Sequence, residues 1–256
     1  MSFRRAFLPT LTLAAIVGAP AVTQAQWQRT IYNVTANEAV DFNGSPDGNS
    51  SGCCSGLQTG WVNGALDVGT GRPTLSATGA TYSGSNEIRS VGANGVLGWW
   101  TPGALPGGGT VTLESSGIFG SATNPSFDTG AGWFPTGQSN NRNLQRTALF
   151  SAFATNMGSS TWRVSGDDDT WVFVNGLLRL DNGGVKSFGT FSAQNVSWNV
   201  GDRIDIFFAD RNVSESRLKF EAAGLNIQPV PEPGTYALMA TGLAALGVVA
   251  RRRRRA

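Results

Sequence analysis

The stretch VSGDDDTWVFVNGLLRLDNGG, residues 164–184, sets Asp167, Asp168 and Asp169 side by side ahead of two apolar runs, with Asp181 close behind the second. Adjacent carboxylates repel, and each one that is crowded or buried resists ionisation unless something positive lies near it. In a chain with only 14% charged residues, such a cluster is either splayed into water or neutralised. A second possibility is purely structural, because Asp side chains accept backbone N–H bonds in tight turns. Which applies depends on the elements that hold the three residues.

Other chemistry is narrowed by composition. The chain has no histidine, which removes Ser-His-Asp and Cys-His catalysis, His-ligated zinc and the commonest neutral-pH base. Paired carboxylates, as in glycoside hydrolysis, are what remains for an enzyme, with Glu221 and Asp205 as the candidates. The only two cysteines, Cys53 and Cys54, are adjacent. They form no loop-closing staple, which leaves a vicinal disulfide or a cross-link to another chain. Trp99 and Trp100 sit together in GVLGWWTPG. On a strand they would face opposite ways, leaving one exposed as a platform for a sugar ring. Trp162, Trp171 and Trp198 read instead as core. Asp41, Asn43, Ser45 and Asp47 alternate like the start of a calcium loop, but the glycine at the sixth place and the glutamate at the twelfth are missing, so a solvated turn is expected there.

The elements that must position these groups are short strands. Asn175 and Gly176 lie between TWVFV and LLRLD and suit the positive φ angles of a two-residue hairpin. RIDIFF alternates through Ile204, Ile206 and Phe208, predicting one buried face, and Leu218 and Phe220 face inward in SRLKFEAAGL. Residues 143–156 fit either a helix or a strand. Thirty-four glycines and frequent Asn, Ser and Thr mark turns between the runs. The fold class is all-β, an antiparallel β-sandwich, with a body over residues 26–228.

The termini differ in kind from that body. Arg4 and Arg5, an apolar run to Ala19 and small residues before Gln26 read as a signal helix over residues 1–25. Near the other end, Pro231, Glu232 and Pro233 precede an uncharged run over residues 236–250 and then five arginines, Arg251 to Arg255. Fifteen helical residues span roughly 22 Å, short of the ~30 Å bilayer core, and the arginines belong on the cytoplasmic side. Without these segments the charge reverses. Residues 26–230 hold 12 Lys and Arg against 16 Asp and Glu, a balance of −4. A mildly acidic body with no basic stripe argues against nucleic acid as a partner.

Two resemblances rest on these motifs. Pro-Glu-Pro, short apolar helix and arginine cluster, over residues 229–256, resemble the PEP-CTERM sorting segment. The resemblance implies an exosortase-type processing enzyme as partner, membrane contact only through the C-terminal helix before processing, and a destination at the envelope surface or in the extracellular matrix. GDDDTWVFVNG, DNGG and DIFFADRNVSESRLKFE, within residues 133–223, resemble the fibro-slime domain, a relative of the protective-antigen-type β-sandwich. In that group a pair of aspartates precedes a strand ending in Asp/Asn-Gly, and a further Asp follows. By that resemblance Asp167, Asp168, Asp169 and Asp181 become candidate calcium ligands and Asn182 a candidate carbohydrate contact; Trp99 and Trp100, outside the resembling stretch, are carbohydrate candidates only through the exposed ring expected of the pair. Where the family often carries histidine, this chain has Lys186 and Asn212.

The expected function is therefore non-catalytic: an exported cell-surface or matrix protein that associates with extracellular polysaccharide, through calcium at the aspartates. A structural biofilm protein without a ligand is the alternative, and a glycoside hydrolase the third reading.

Overall fold

The computed structural model describes residues 26–35, 39–42, 55–82, 86–121, 124–131, 144–211, 216–230 and 250–251. The signal segment, Cys53 and Cys54, Pro231, Glu232 and Pro233, and the apolar run over residues 236–249 lie outside them.

Among the described residues the chain forms twelve strands. They are β1 (Trp27–Thr35), β2 (Gly103–Ala104), β3 (Thr110–Phe119), β4 (Phe127–Asp128), β5 (Leu144–Ala154), β6 (Gly158–Asp167), β7 (Asp169–Val174), β8 (Leu177–Asn182), β9 (Ser192–Trp198), β10 (Arg203–Asp210), β11 (Arg217–Ala222) and β12 (Ile227–Pro229). All pairings are antiparallel. The large sheet runs β2-β3-β1-β5-β10-β7-β8, with β12 continuing the edge of β5 where β1 stops; the small sheet runs β4-β11-β6-β9. Within the ambiguous 143–156 segment, Leu144–Ala154 form a central strand, and the expected antiparallel sandwich is what the chain forms. The hairpin between β7 and β8 turns on Asn175 and Gly176, with φ of 49° and 75°, as the Asn-Gly pair predicts.

Between the sheets lies one core. Ile204, Ile206 and Phe208 of β10 meet Trp162 and Val164 of β6, Leu218 and Phe220 of β11 and Trp198 of β9. The single buried face expected of RIDIFF is only half of the outcome. Phe207 and Ala209 enter a second core on the opposite face of the large sheet, with Trp171 and Phe173 of β7 and Tyr32 and Val34 of β1. That face is covered by residues 39–42, 55–82 and 86–105, which among the described residues form turns and one short α-helix, α1 (Ala77–Thr81), and contribute Phe42, Trp61, Leu97, Trp99 and Trp100. A sheet buried on both faces needs apolar residues at consecutive positions, which explains why β10 carries an unbroken apolar stretch after Asp205.

The expectation for Trp99 and Trp100 is corrected here. They occupy a 3-10 turn, Gly98–Trp100, rather than a strand, so they do not alternate across a sheet; both are fully buried. The Trp99 indole N–H donates to Asp41 Oδ2 at 3.0 Å, and that of Trp100 donates to the carbonyls of Ala148 and Phe208, both at 3.1 Å. Neither ring is available to stack on a sugar. Asp41 is likewise buried rather than solvated, its carboxylate accepting the backbone N–H groups of Arg89 and Ser90.

Trp100 pins the covering layer to β5 and β10. Replacing it with alanine removes a large buried ring and leaves two carbonyls without that donor, so Trp100→Ala is expected to lower unfolding free energy by about 3–5 kcal/mol, measured by urea denaturation. A loss within the range of an ordinary surface substitution would show that the layer does not depend on it.

Candidate functional site

Asp168 is the single residue between β6 of the small sheet and β7 of the large one, so the chain crosses from sheet to sheet there without a loop. Asp167 ends β6, in register with Arg217; Asp169 begins β7, in register with Ala209. The peptide bond joining Asp167 and Asp168 is cis. The crossover needs space: a Cβ on Gly166 would lie 1.9 Å from Thr170 Oγ1 and 2.8 Å from the Asp168 carbonyl. All three aspartates are buried, so splaying into water is excluded.

What each carboxylate meets differs. Asp168 accepts the backbone N–H of Lys186 at Oδ1 (3.0 Å) and of Arg211 at Oδ2 (2.8 Å). Asp169 accepts the Gly184 N–H at Oδ1 (2.5 Å), and its Oδ2 pairs with Arg211 Nη1 at 3.2 Å, both side chains wholly buried. Asp181 accepts the Gly60 N–H (2.6 Å) and the Trp171 indole N–H (3.0 Å). Asp169 and Asp181, expected as metal ligands, are therefore turned to a guanidinium and to structural donors. Asn182, expected at a sugar, is buried. Its side-chain oxygen accepts from Gly166 N at 3.1 Å, and its amide donates to Thr190 O and Ser192 Oγ.

Two cations answer the opening question of charge. The Lys186 ammonium donates to three backbone carbonyls, of Asn182 (2.7 Å), Asp168 (2.8 Å) and Gly184 (3.2 Å), using all three of its hydrogens. The loop that delivers it is clamped to the outer face of the small sheet, with Arg217 over the Phe188 ring at 3.9 Å and Arg163 over Phe191 at 4.5 Å. Arg211 extends the charge network to the covering layer. Its Nε donates to Asp41 O (2.7 Å) and its Nη2 to Asn86 O (2.7 Å) and Glu87 O (3.3 Å), while the guanidinium lies 5.1 Å from the Trp99 ring centre. The sequence had marked Lys186 only as a replacement for histidine, and Arg211 and Asp210 not at all. Their signal was there: one of two lysines in the chain, set in GGVKSF, and an Asp-Arg pair directly after an apolar strand.

Negative charge still exceeds positive. Burial, then the charges of Asp167 and Asp169, push the Asp168 carboxyl up to about 8, with Lys186 opposing. Asp210, buried alongside and in register with Arg146, is raised well above the usual carboxylate range by burial, then by Asp168 and Asp167. Burial lowers the Lys186 ammonium, against the pull of the surrounding carboxylates. Among the described residues no three His, Cys, Asp or Glu side chains are grouped as a ready-made metal cage.

Comparison with known proteins adds the terminal segment. Residues 229–255 match the PEP-CTERM protein-sorting motif. This chain carries a PEP-CTERM sorting signal. The PEP-CTERM signal indicates export, processing by an exosortase-type enzyme and a cell-surface or extracellular destination. The chain is also 35% identical over 68 residues to Protein psiP of Dictyostelium discoideum, covering 25% of this chain and 9% of psiP. It spans about a tenth of the length of the curated relatives it matches. Among solved structures, the PA14 sugar-binding domain from an RTX adhesin is similar at 16% identity and a TM-score of 0.27, over 32% of this chain and 50% of that one. A β-glucosidase from Kluyveromyces marxianus is similar at 8% identity and 0.28, over 50% and 16%.

The Asp168 carboxyl gives a pH dependence of defined sign. It binds a proton in the folded state up to about 8 but in the unfolded chain only near its ordinary 3.8. Its contribution to stability is thus complete below that lower value and is lost as pH rises through the higher one. Asp210 acts in the same direction. In chelator, unfolding free energy is expected to fall between roughly pH 5 and 8, and to fall less steeply in Asp168→Asn. Equal slopes in both proteins would contradict the assignment.

Proposed function

We propose that the chain is a non-catalytic, exported surface protein whose β-sandwich associates with extracellular polysaccharide, and that calcium completes the charge at the crossover. One observation carries the reading: the crossover buries more carboxylates than cations, leaving Asp167, Asp168 and Asp210 with Lys186 and Arg146 as nearby positive groups. Carboxylate oxygens are the donor type that a hard divalent ion takes, and further oxygens would have to come from backbone, water or ligand. Asp167 and Asp168 would hold it, with Asp210 beside them. The N–H bonds to Asp168 leave lone pairs, because an ionised carboxylate has about four acceptor positions. When bound, calcium supplies two positive charges and open coordination positions that sugar hydroxyls can fill. This chain's residues do the rest: Lys186 and Arg211 fix the Asp168 and Asp169 carboxylates from the inner side, and Gly166 lets the two sheets meet there.

A second reading, that the crossover is only structural, is favoured by the two backbone N–H groups already on Asp168 and by the Lys186 ammonium in its carbonyl cradle. A hydrolase built on Glu221 and Asp205 lacks support. Glu221 points outward from the small sheet, paired with Arg163 and Lys219. Asp205 lies on the far face of the large sheet, bonded by Ser151 and Arg203. Two stacked sheets about 10 Å apart separate them, beyond the reach of a working carboxylate pair.

Melting temperature with and without millimolar calcium separates the readings. A ligand at a hundred times its dissociation constant adds about 2.7 kcal/mol, so calcium is expected to raise the midpoint of the wild-type chain and leave Asp168→Asn unmoved. Equal midpoints for the wild type in calcium and in chelator would leave the structural reading standing.

A further inference from the structure

The far end of β7 from the aspartates, about 17 Å away at 3.3 Å per residue, carries a feature that the crossover does not use. There the hairpin tip and the start of β10 face a tight loop of the covering layer, residues 65–72, across an open trough of 680 Å³. The loop is built to hold its shape. Leu66 N donates to Gly176 O at 2.8 Å, Asp67 N to Arg72 O at 2.9 Å and Gly71 N to Asp67 O at 2.8 Å. A second trough, of 390 Å³, adjoins the first and shares Asp67 and Thr70 with it. Its walls are mainly small residues, among them Gly92, Gly98 and Gly103, which let a ligand come close to the backbone. The two meet at Asp67 and Thr70, so a ligand in one can continue into the other.

The polar groups along the first trough come in fixed pairs. Arg203 is held on the buried Asp205 by Nε (2.9 Å) and Nη2 (3.0 Å), and Ser151 donates to the same carboxylate at 2.5 Å. Asp67 is held by the N–H and hydroxyl of Thr70, at 2.8 and 2.7 Å, which keep its carboxyl below the usual range and ionised. Arg72 engages Thr101 Oγ1 through Nε at 3.4 Å. Among the described residues no acceptor takes Arg203 Nη1 or the two terminal nitrogens of Arg72. Between these pairs lie Val68, fully exposed, and Leu177, about half exposed. Preset donors beside preset acceptors match hydroxyl groups, which donate and accept at once, and the apolar side chains between them match the C–H face of a sugar ring. Separate amide N–H and C=O groups of a peptide fit an open strand edge better, and here the β8 edge is already bridged to the covering layer at Ala65 and Gln58.

We propose that this double trough binds an extended, hydroxyl-rich polysaccharide chain directly, without metal, as a second site separate from the aspartate crossover. The inference rests on the polysaccharide-associating reading above and names where the polymer lies. Arg203 and Arg72 donate to ring hydroxyls, Asp67 accepts from them, and Val68 and Leu177 pack under the ring.

The test uses the full-length chain and polysaccharide purified free of protein from the cells that produce it, in affinity electrophoresis. Binding is expected to persist in chelator and in Asp168→Asn. It is expected to weaken by about tenfold, the equivalent of one or two lost hydrogen bonds, in Arg72→Ala, at a half-buried position, and in Val68→Glu, at an exposed one; unchanged melting curves of both variants would report an intact fold. If the wild type binds and both trough variants bind equally well, the trough proposal is overturned while the broader reading survives. If the wild type captures no polysaccharide at all, the reading itself fails and the trough with it. Capture only of the protein-containing extract would assign the trough to a polypeptide and overturn the proposal.

Discussion

The ion pair between Asp169 and Arg211 is the contact on which the arrangement turns. Both side chains are without solvent exposure, and a buried charge stripped of its partner is among the costliest defects a fold can carry. Arg211 spends its other donors on the carbonyls of Asp41, Asn86 and Glu87 in the covering layer, and Asp169 spends its other oxygen on Gly184 in the loop that carries Lys186. One guanidinium therefore ties three things together: the first strand after the crossover, the layer over the large sheet, and the loop whose lysine neutralises the aspartates from the other side.

That dependence explains why so polar a sequence folds as a doubly buried sheet. The covering layer has few regular elements. It is held by indole and guanidinium donors placed on backbone carbonyls and on Asp41, and by the aromatic cluster of Trp61, Trp99, Trp100 and Trp171. The chain divides its labour accordingly: the crossover concentrates charge at one end of β7, while the hairpin end leaves fixed polar pairs facing open space.

Much of the frame was legible in the sequence and much of the site was not. Asn175 and Gly176 marked the hairpin because their φ angles are local requirements, and Ile204, Ile206 and Phe208 marked an inward face because strand periodicity is local too. Phe207 could not be assigned from periodicity, since a second buried face looks the same as an apolar run. Trp99 and Trp100 were misplaced because adjacent tryptophans were judged by strand alternation, whereas a 3-10 turn puts both under the same cover. The aspartate cluster stood out by charge density alone, but its partners Lys186 and Arg211 come from 17 or more residues away in the chain. No local rule pairs an acid with a base across a sheet crossover; only the topology brings them within reach.

The central claim is that this buried pair, and not packing alone, fastens the covering layer to the sandwich. A double-mutant cycle on Asp169→Asn and Arg211→Met, read as unfolding free energies in urea, tests it most directly. The account predicts that the two single substitutions are each strongly destabilising and that the double variant recovers a coupling energy of about 1–3 kcal/mol. Strictly additive losses would contradict it, because the two side chains would then stabilise the fold independently of one another.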